Sequence, residues 1–156
     1  MDLVFDDLKN EVMTQLDRRR EMVLATCAEN RVTAQMVSTV HRDLHIYFQT
    51  DLGFLKSRQM MQNPNVALCA GNLQIEGVAA FLGGWDTLDD PQLLTLYRQA
   101  HEGSYLNYGH REHQTVVEVT LTRVTLWKYA DGYALRDTLL IPERQAVREV
   151  YCKVTA

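Results

Sequence analysis

The chain has 156 residues, 46% of them hydrophobic and 23% charged, with a formal net charge of −4. That length supports one domain with its own core, and the composition is that of a globular protein rather than a disordered, fibrous or membrane-spanning one. The acidic balance, with its one cationic run at Arg18-Arg19-Arg20, supplies no field to gather phosphodiester backbones, so nucleic acid is not an expected partner.

Leu3, Val4, Leu8, Val12 and Leu16 recur every three or four residues among charges. This spacing predicts an amphipathic helix within residues 1–20, covering one opening of whatever follows. An acidic, helically patterned start is not a secretory leader, and nowhere do about eighteen apolar residues run together, so the reading is a cytoplasmic protein without a membrane span. Cys27, Cys69 and Cys152 are far apart and in no CxxC spacing, which reads as reduced thiols rather than a disulfide frame or a zinc site.

From Met22 the pattern turns to strands: MVLATCA, RVTAQMVSTV and LHIYFQT, parted by the short turns Glu29-Asn30 and Arg42-Asp43. Thr50-Asp51 then caps a helix carrying Phe54, Leu55, Met60 and Met61, which Asn63-Pro64 stops before the strand VALCA. Gly71-Asn72 marks a tight turn into QIEGVAAFLG, where the interior Gly77 predicts a bulge or a close backbone approach. Asp89-Asp90-Pro91 opens a helix through LLTLYRQA, and the polar HEGSYLNYGHREH after it reads as a loop over a site. VVEVTLTRVTLWKY and YALRDTLLI are strands joined at Asp131-Gly132, and Pro142 is taken to start a short C-terminal helix over 142–152. The fold class is therefore mainly β with helices: a small six- to seven-stranded antiparallel barrel over 22–141, closed or split, in a single domain spanning 1–156.

One stretch carries chemistry. In TDLGFLKSRQ a strand ends, a helix begins, and Lys56 sits in its first or second turn. Unpaired amides at a helix N-terminus beside a lysine can hold a phosphate. The residues alone leave that open against an ordinary capped helix with a solvated lysine, and the spacing is not that of a nucleoside-triphosphate loop.

AQMVSTV, IYFQTDLGFLKSRQMMQNPNVAL, QIEGVA and VEVTLTRVTLWKY with LRDTLL, in that order, resemble the pyridoxamine 5'-phosphate oxidase-like FMN-binding split barrels. The resemblance implies a homodimer with FMN in clefts between subunits. It places Met36, Val37 and Ser38 along the flavin ring, Phe48, Gln49 and Thr50 beside it, and Lys56 on the phosphate. Asn72 and Trp127 would reach in from the other subunit. Gln35, Leu55 and Thr138 stand where the family has arginine, and Ala134 and Arg136 replace the arginine and histidine that serve the pyridoxyl substrate, so vitamin B6 oxidation is not expected. Arg58, Arg31 and Arg136 are the candidate replacements for the missing cations.

The resulting expectation is an FMN-dependent oxidoreductase acting on a small-molecule electron acceptor, with no catalytic side chain assigned. Gln49, Tyr105, Asn107, Tyr108 and His110 are the candidates to shape the acceptor pocket. The alternatives are a non-enzymatic protein storing flavin or haem, and a barrel using a deazaflavin. His101, His110 and His113 could approach one another as haem or metal ligands, but a solvated polar loop is the commoner reading of such a stretch and no metal site is assigned.

Overall fold

The computed structural model describes residues 1–155, and its order of elements follows the turn chemistry closely. Strand β1 (Asp2–Leu3) leads into helix α1 (Phe5–Asp17), whose buried stripe is Leu8, Val12 and Leu16. A meander follows: β2 (Glu21–Ala28), β3 (Arg31–Ser38), β4 (Val40–Arg42) and β5 (His45–Asp51). The β2–β3 turn places both Glu29 and Asn30 at positive φ, the mirror-image geometry that suits a two-residue hairpin. Helix α2 (Leu55–Gln62), β6 (Asn65–Ala70), β7 (Leu73–Gly83), helix α3 (Pro91–Tyr108), β8 (Gln114–Ala130), β9 (Tyr133–Leu140) and β10 (Gln145–Lys153) complete the chain.

All pairings are antiparallel, in the order β1-β10-β9-β8-β7-β6-β2-β3, while β5 pairs separately with β8 and with β4. The path is not closed. Strand β4 begins one residue beyond β3, after Thr39 donates its amide to the Arg20 carbonyl at 2.9 Å, and β3 ends the path with β2 as its one ladder partner among the described residues. The barrel strands β2 to β9 match the expected set, with the second expected strand divided at Thr39.

The main core fills the barrel with Leu24, Phe48, Leu68, Leu73, Val117, Leu121 and Leu139 beneath α1. A second core of Tyr97, Tyr105, Leu93 and Val116 gathers around Trp85 under α3. Gly77 lies at the expected irregularity: the β7–β8 register shifts between Glu76 and Gly77, and a Cβ there would come within 2.6 Å of Val119 Cγ1.

Two expectations need correction. Residues 142–152 form no helix. Pro142 sits in a turn closed by the Arg144 amide on the Ile141 carbonyl, and Gln145–Lys153 then pairs along β9 as β10. The segment has β-formers at Val147, Val150 and Tyr151, and it covers what would be a bare strand edge. Nor is HEGSYLNYGHREH wholly a loop, because α3 continues to Tyr108 across a kink at His101 (φ −139°, ψ 47°). The packing of Tyr105 against Trp85, with ring centroids 6.5 Å apart, holds a helix that the polar composition alone would not announce.

Candidate functional site

A cavity of about 480 Å³ opens where the end of β5, the start of α2, the last turns of α3 and the head of β8 meet. Strand β5 supplies Gln49, Thr50 and Asp51, and the α2 entry supplies Phe54 and Lys56. Ser104 and Tyr108 come from α3, with Arg111 and Gln114 just beyond it. The β5–β8 register sets Asp51 opposite Gln114, and the Leu52 amide donates to the His113 carbonyl at 2.9 Å, so the two loops at the mouth are fastened together.

Gln49 is already committed. Its Oε1 accepts the Trp85 indole N–H at 2.9 Å, and its Nε2 donates to the carbonyl and hydroxyl of Ser104 at 2.9 and 3.0 Å. The Tyr97 hydroxyl lies 3.4 Å from Ser104 Oγ, and burial pushes this phenol's pKa up. Gln49 is thus the peg that fixes α3 over the barrel, and its amide is not free for a ligand.

Two neighbours differ. Among the described residues, Thr50 Oγ1 and Gln114 Nε2 are buried with no hydrogen-bond partner, while Gln114 Oε1 accepts the Trp85 amide at 3.1 Å. Buried polar groups are almost always paired, and both of these belong to residues that line the cavity, whereas the other two unpaired atoms, Arg19 Nε and Gln35 Nε2, do not. Lys56 extends along the Phe54 ring, its ammonium 5.3 Å from the centroid, and burial lowers its pKa. No carboxylate pairs with Lys56 among the described residues. Phe54 begins α2 without a side-chain cap; instead Asp51 Oδ1 accepts the Gly53 amide at 2.8 Å, and the Asp51 carbonyl accepts the Ser57 hydroxyl at 2.6 Å.

Of the sequence-derived candidates, Gln49, Thr50, Lys56 and Tyr108 meet at this cavity. Val37 and Phe48 turn their side chains into the main core, Ser38 is half-buried, and Met36 points outward and is 58% exposed. Tyr105 is buried on Trp85, His110 packs against Tyr105 from the exposed side, and Asn107 lies on the surface outside the lining. Asn72 and Trp127 share a hairpin end, where the Asn72 side-chain amide donates to the Trp127 carbonyl and the Trp127 amide to the Asn72 carbonyl. Trp127 lies toward the opposite end of β8 from Gln114, and neither Trp127 nor Asn72 lines the cavity. His101 contacts the Thr39 carbonyl through Nε2, and the described residues contain no metal-like group of three histidines, cysteines or carboxylates. Asp51, Phe54, Ser104, Arg111 and Gln114 were not named as site residues, although Asp51 and Phe54 lie in the stretch singled out around Lys56, and Ser104 and Arg111 in the one read as a loop over a site; Gln114 carried no signal.

A profile of the pyridoxamine 5'-phosphate oxidase family matches residues 8–128. General Stress Protein 26 from Bacillus anthracis superposes with a TM-score of 0.60 at 19% identity, over 75% of this chain and 91% of that one. HutZ, the heme storage protein of Vibrio cholerae, superposes at 0.55 with 16% identity, over 73% and 89%. PhzG from Burkholderia lata, solved with tetrahydrophenazine-1-carboxylic acid, gives 0.59 and 14%, over 94% and 88%. No curated protein sequence matches, and among the described residues no helix is long and apolar enough to cross a membrane. With most of its length inside the matched span and the split-barrel topology around it, the chain belongs to the pyridoxamine 5'-phosphate oxidase family.

Proposed function

We propose that the chain is an FMN-binding oxidoreductase that works as a homodimer on a small-molecule acceptor and does not oxidise pyridoxamine phosphate. The observation that carries this reading is the pair of unpartnered buried atoms, Thr50 Oγ1 and Gln114 Nε2, on the cavity that Lys56 enters. These groups fit a ligand with many acceptors and an anionic end. Lys56 and the uncapped start of α2 would hold the phosphate, Thr50 and Gln114 would meet polar atoms of the nucleotide, and Tyr108 would border the acceptor. When bound, FMN supplies the electron-transfer chemistry; the chain excludes water, fixes orientation and neutralises the phosphate.

Dimerisation draws its support from the outward face of β2, β3, β6 and β7. Val32 is 67% exposed, Met36 58% and Val78 40%, and Cys69 lies beside them, an apolar surface suited to a second copy. Asn72 and Trp127, which do not line their own chain's cavity, would then border the partner's. Ala134 and Leu135 bring no charge to a pyridoxyl phosphate, and Arg136 is held by Glu149 at 2.7 Å. That leaves little of the vitamin B6 site.

Absorption spectra of the purified protein before and after FMN addition test the reading. Two flavin bands that approach one equivalent per chain, followed by bleaching with a reductant and recovery with an acceptor, are expected. A sharp haem band would replace it with storage, the role named for HutZ, and a deazaflavin spectrum would keep the cavity but change the cofactor.

A further inference from the structure

The family's arginines are missing at Gln35, Leu55 and Thr138, and the three replacements suggested by the sequence lie elsewhere. Arg58 donates to the Gly53 carbonyl at 2.7 Å, Arg136 pairs with Glu149, and Arg31 sits at the β2–β3 hairpin; none lines the cavity. Arg111 does. It follows α3 by three residues, on a turn that Gly109 makes possible, since a Cβ at 109 would lie 2.6 Å from the Tyr105 carbonyl and 2.8 Å from that ring. The Gln114 amide closes this turn on the Arg111 carbonyl at 3.1 Å, and the Leu52 amide fastens it to the loop before α2. Arg111 has no carboxylate partner among the described residues; its guanidinium lies 5.9 Å from the Tyr108 ring centroid.

Resting on the FMN reading, we infer that Arg111, reaching in from the α3–β8 turn, is the second cation of the phosphate subsite and replaces in space the arginines the sequence has lost. Lys56 enters the cavity from α2 and Arg111 from the turn after α3, and Gln114 and Thr50 line the same cavity. Asp51 is the one carboxylate on the lining, so the cations outnumber it. A guanidinium offers paired donors to a phosphate, which a second lysine would not.

Flavin-fluorescence titrations of the full chain with FMN and with riboflavin separate the phosphate from the ring. Arg111→Gln is expected to lower FMN affinity roughly 10- to 100-fold and leave riboflavin affinity unchanged. Arg123→Gln, the same change of charge on an exposed strand position, should alter neither. If Arg111→Gln weakens both ligands alike, or neither, the inference is overturned while the FMN reading stands. If the unaltered protein takes up neither flavin, that reading fails and thermal protection by inorganic pyrophosphate decides the subsite. Protection lost in Arg111→Gln keeps it, and protection that is absent or unchanged removes it.

Discussion

At the far end of the long strand β8, polar groups are fully spent, whereas at its head they are held in reserve. Beyond Trp127, Lys128 donates at 2.7 Å to both Asp137 and Glu11, and Arg148 grips both Asp137 oxygens at 2.7 Å. Asp137 has no exposed surface, and this cluster ties α1, β8, β9 and β10 together. Around Gln114, among the described residues, a buried hydroxyl and a side-chain amide nitrogen have no hydrogen-bond partner, and two cations on the same cavity have no carboxylate. Both ends bury polarity, but only one balances it internally. The difference separates architecture from a binding site better than charge or burial does alone.

The largest effect is expected where the balance is complete. Asp137→Ala leaves Lys128 and Arg148 without their shared anion and should cost about 3 kcal/mol, since both cations are partly exposed and can recover some hydration. Thermal melts should fall by roughly 6–12 °C. Burial pushes the Asp137 carboxyl up, but the bonds from Arg148 and Lys128 outweigh it and hold its pKa below the ordinary value. A depressed folded pKa gives stability that is complete above the unfolded value near ~4 and lost as pH falls through the folded one. Acid unfolding of the native chain should therefore steepen below about pH 4, and Asp137→Ala should flatten that limb. A loss under ~1 kcal/mol would make the cluster decorative.

Gly77 tests the ladder that joins the two ends. A methyl group would meet Val119 Cγ1 at 2.6 Å and the Thr120 carbonyl at 2.8 Å, and that carbonyl belongs to backbone which cannot swing aside. Gly77→Ala should cost about 1–3 kcal/mol in urea unfolding. A neutral result would mean that the bulge between Glu76 and Gly77 relaxes freely.

Much of this scaffold can be read locally. Glu29-Asn30, Gly71-Asn72 and Asp131-Gly132 each turn where backbone preference puts them, and the alternation of Val117, Val119 and Leu121 declares one face of β8. Lys56 is legible because strand end, helix start and cation fall within one short stretch. Arg111 and Gln114 are not, because they reach Lys56 only through the β5–β8 pairing, which skips β6, β7 and α3. Pro142 misleads because a proline serves equally at a helix start and in a turn, and only the unpaired edge of β9 chooses between them.

Thr50→Val reverses the sign seen at Asp137. The valine keeps the shape of the side chain and removes a buried hydroxyl that bonds to nothing, so the ligand-free protein should gain up to ~1 kcal/mol, measured by denaturant midpoint. The same variant should bind FMN more weakly. Stability that falls instead would show that the hydroxyl serves the fold, and the contrast between the two ends would lose one of its supports.

The smallest effect is expected at Asp51, whose carboxylate opposes an anion in the cavity. Asn in its place keeps an Oδ1 to accept the Gly53 amide, so the turn into α2 survives and only the charge changes. Because the side chain is half-buried and screened, Asp51→Asn should raise FMN affinity only about threefold, with riboflavin unaffected. Loss of affinity for both ligands would carry a different lesson: Asp51 would then accept a hydroxyl shared by FMN and riboflavin. The cavity's one carboxylate would then serve the ribityl chain that both ligands share, while the phosphate would still fall to Lys56 and Arg111.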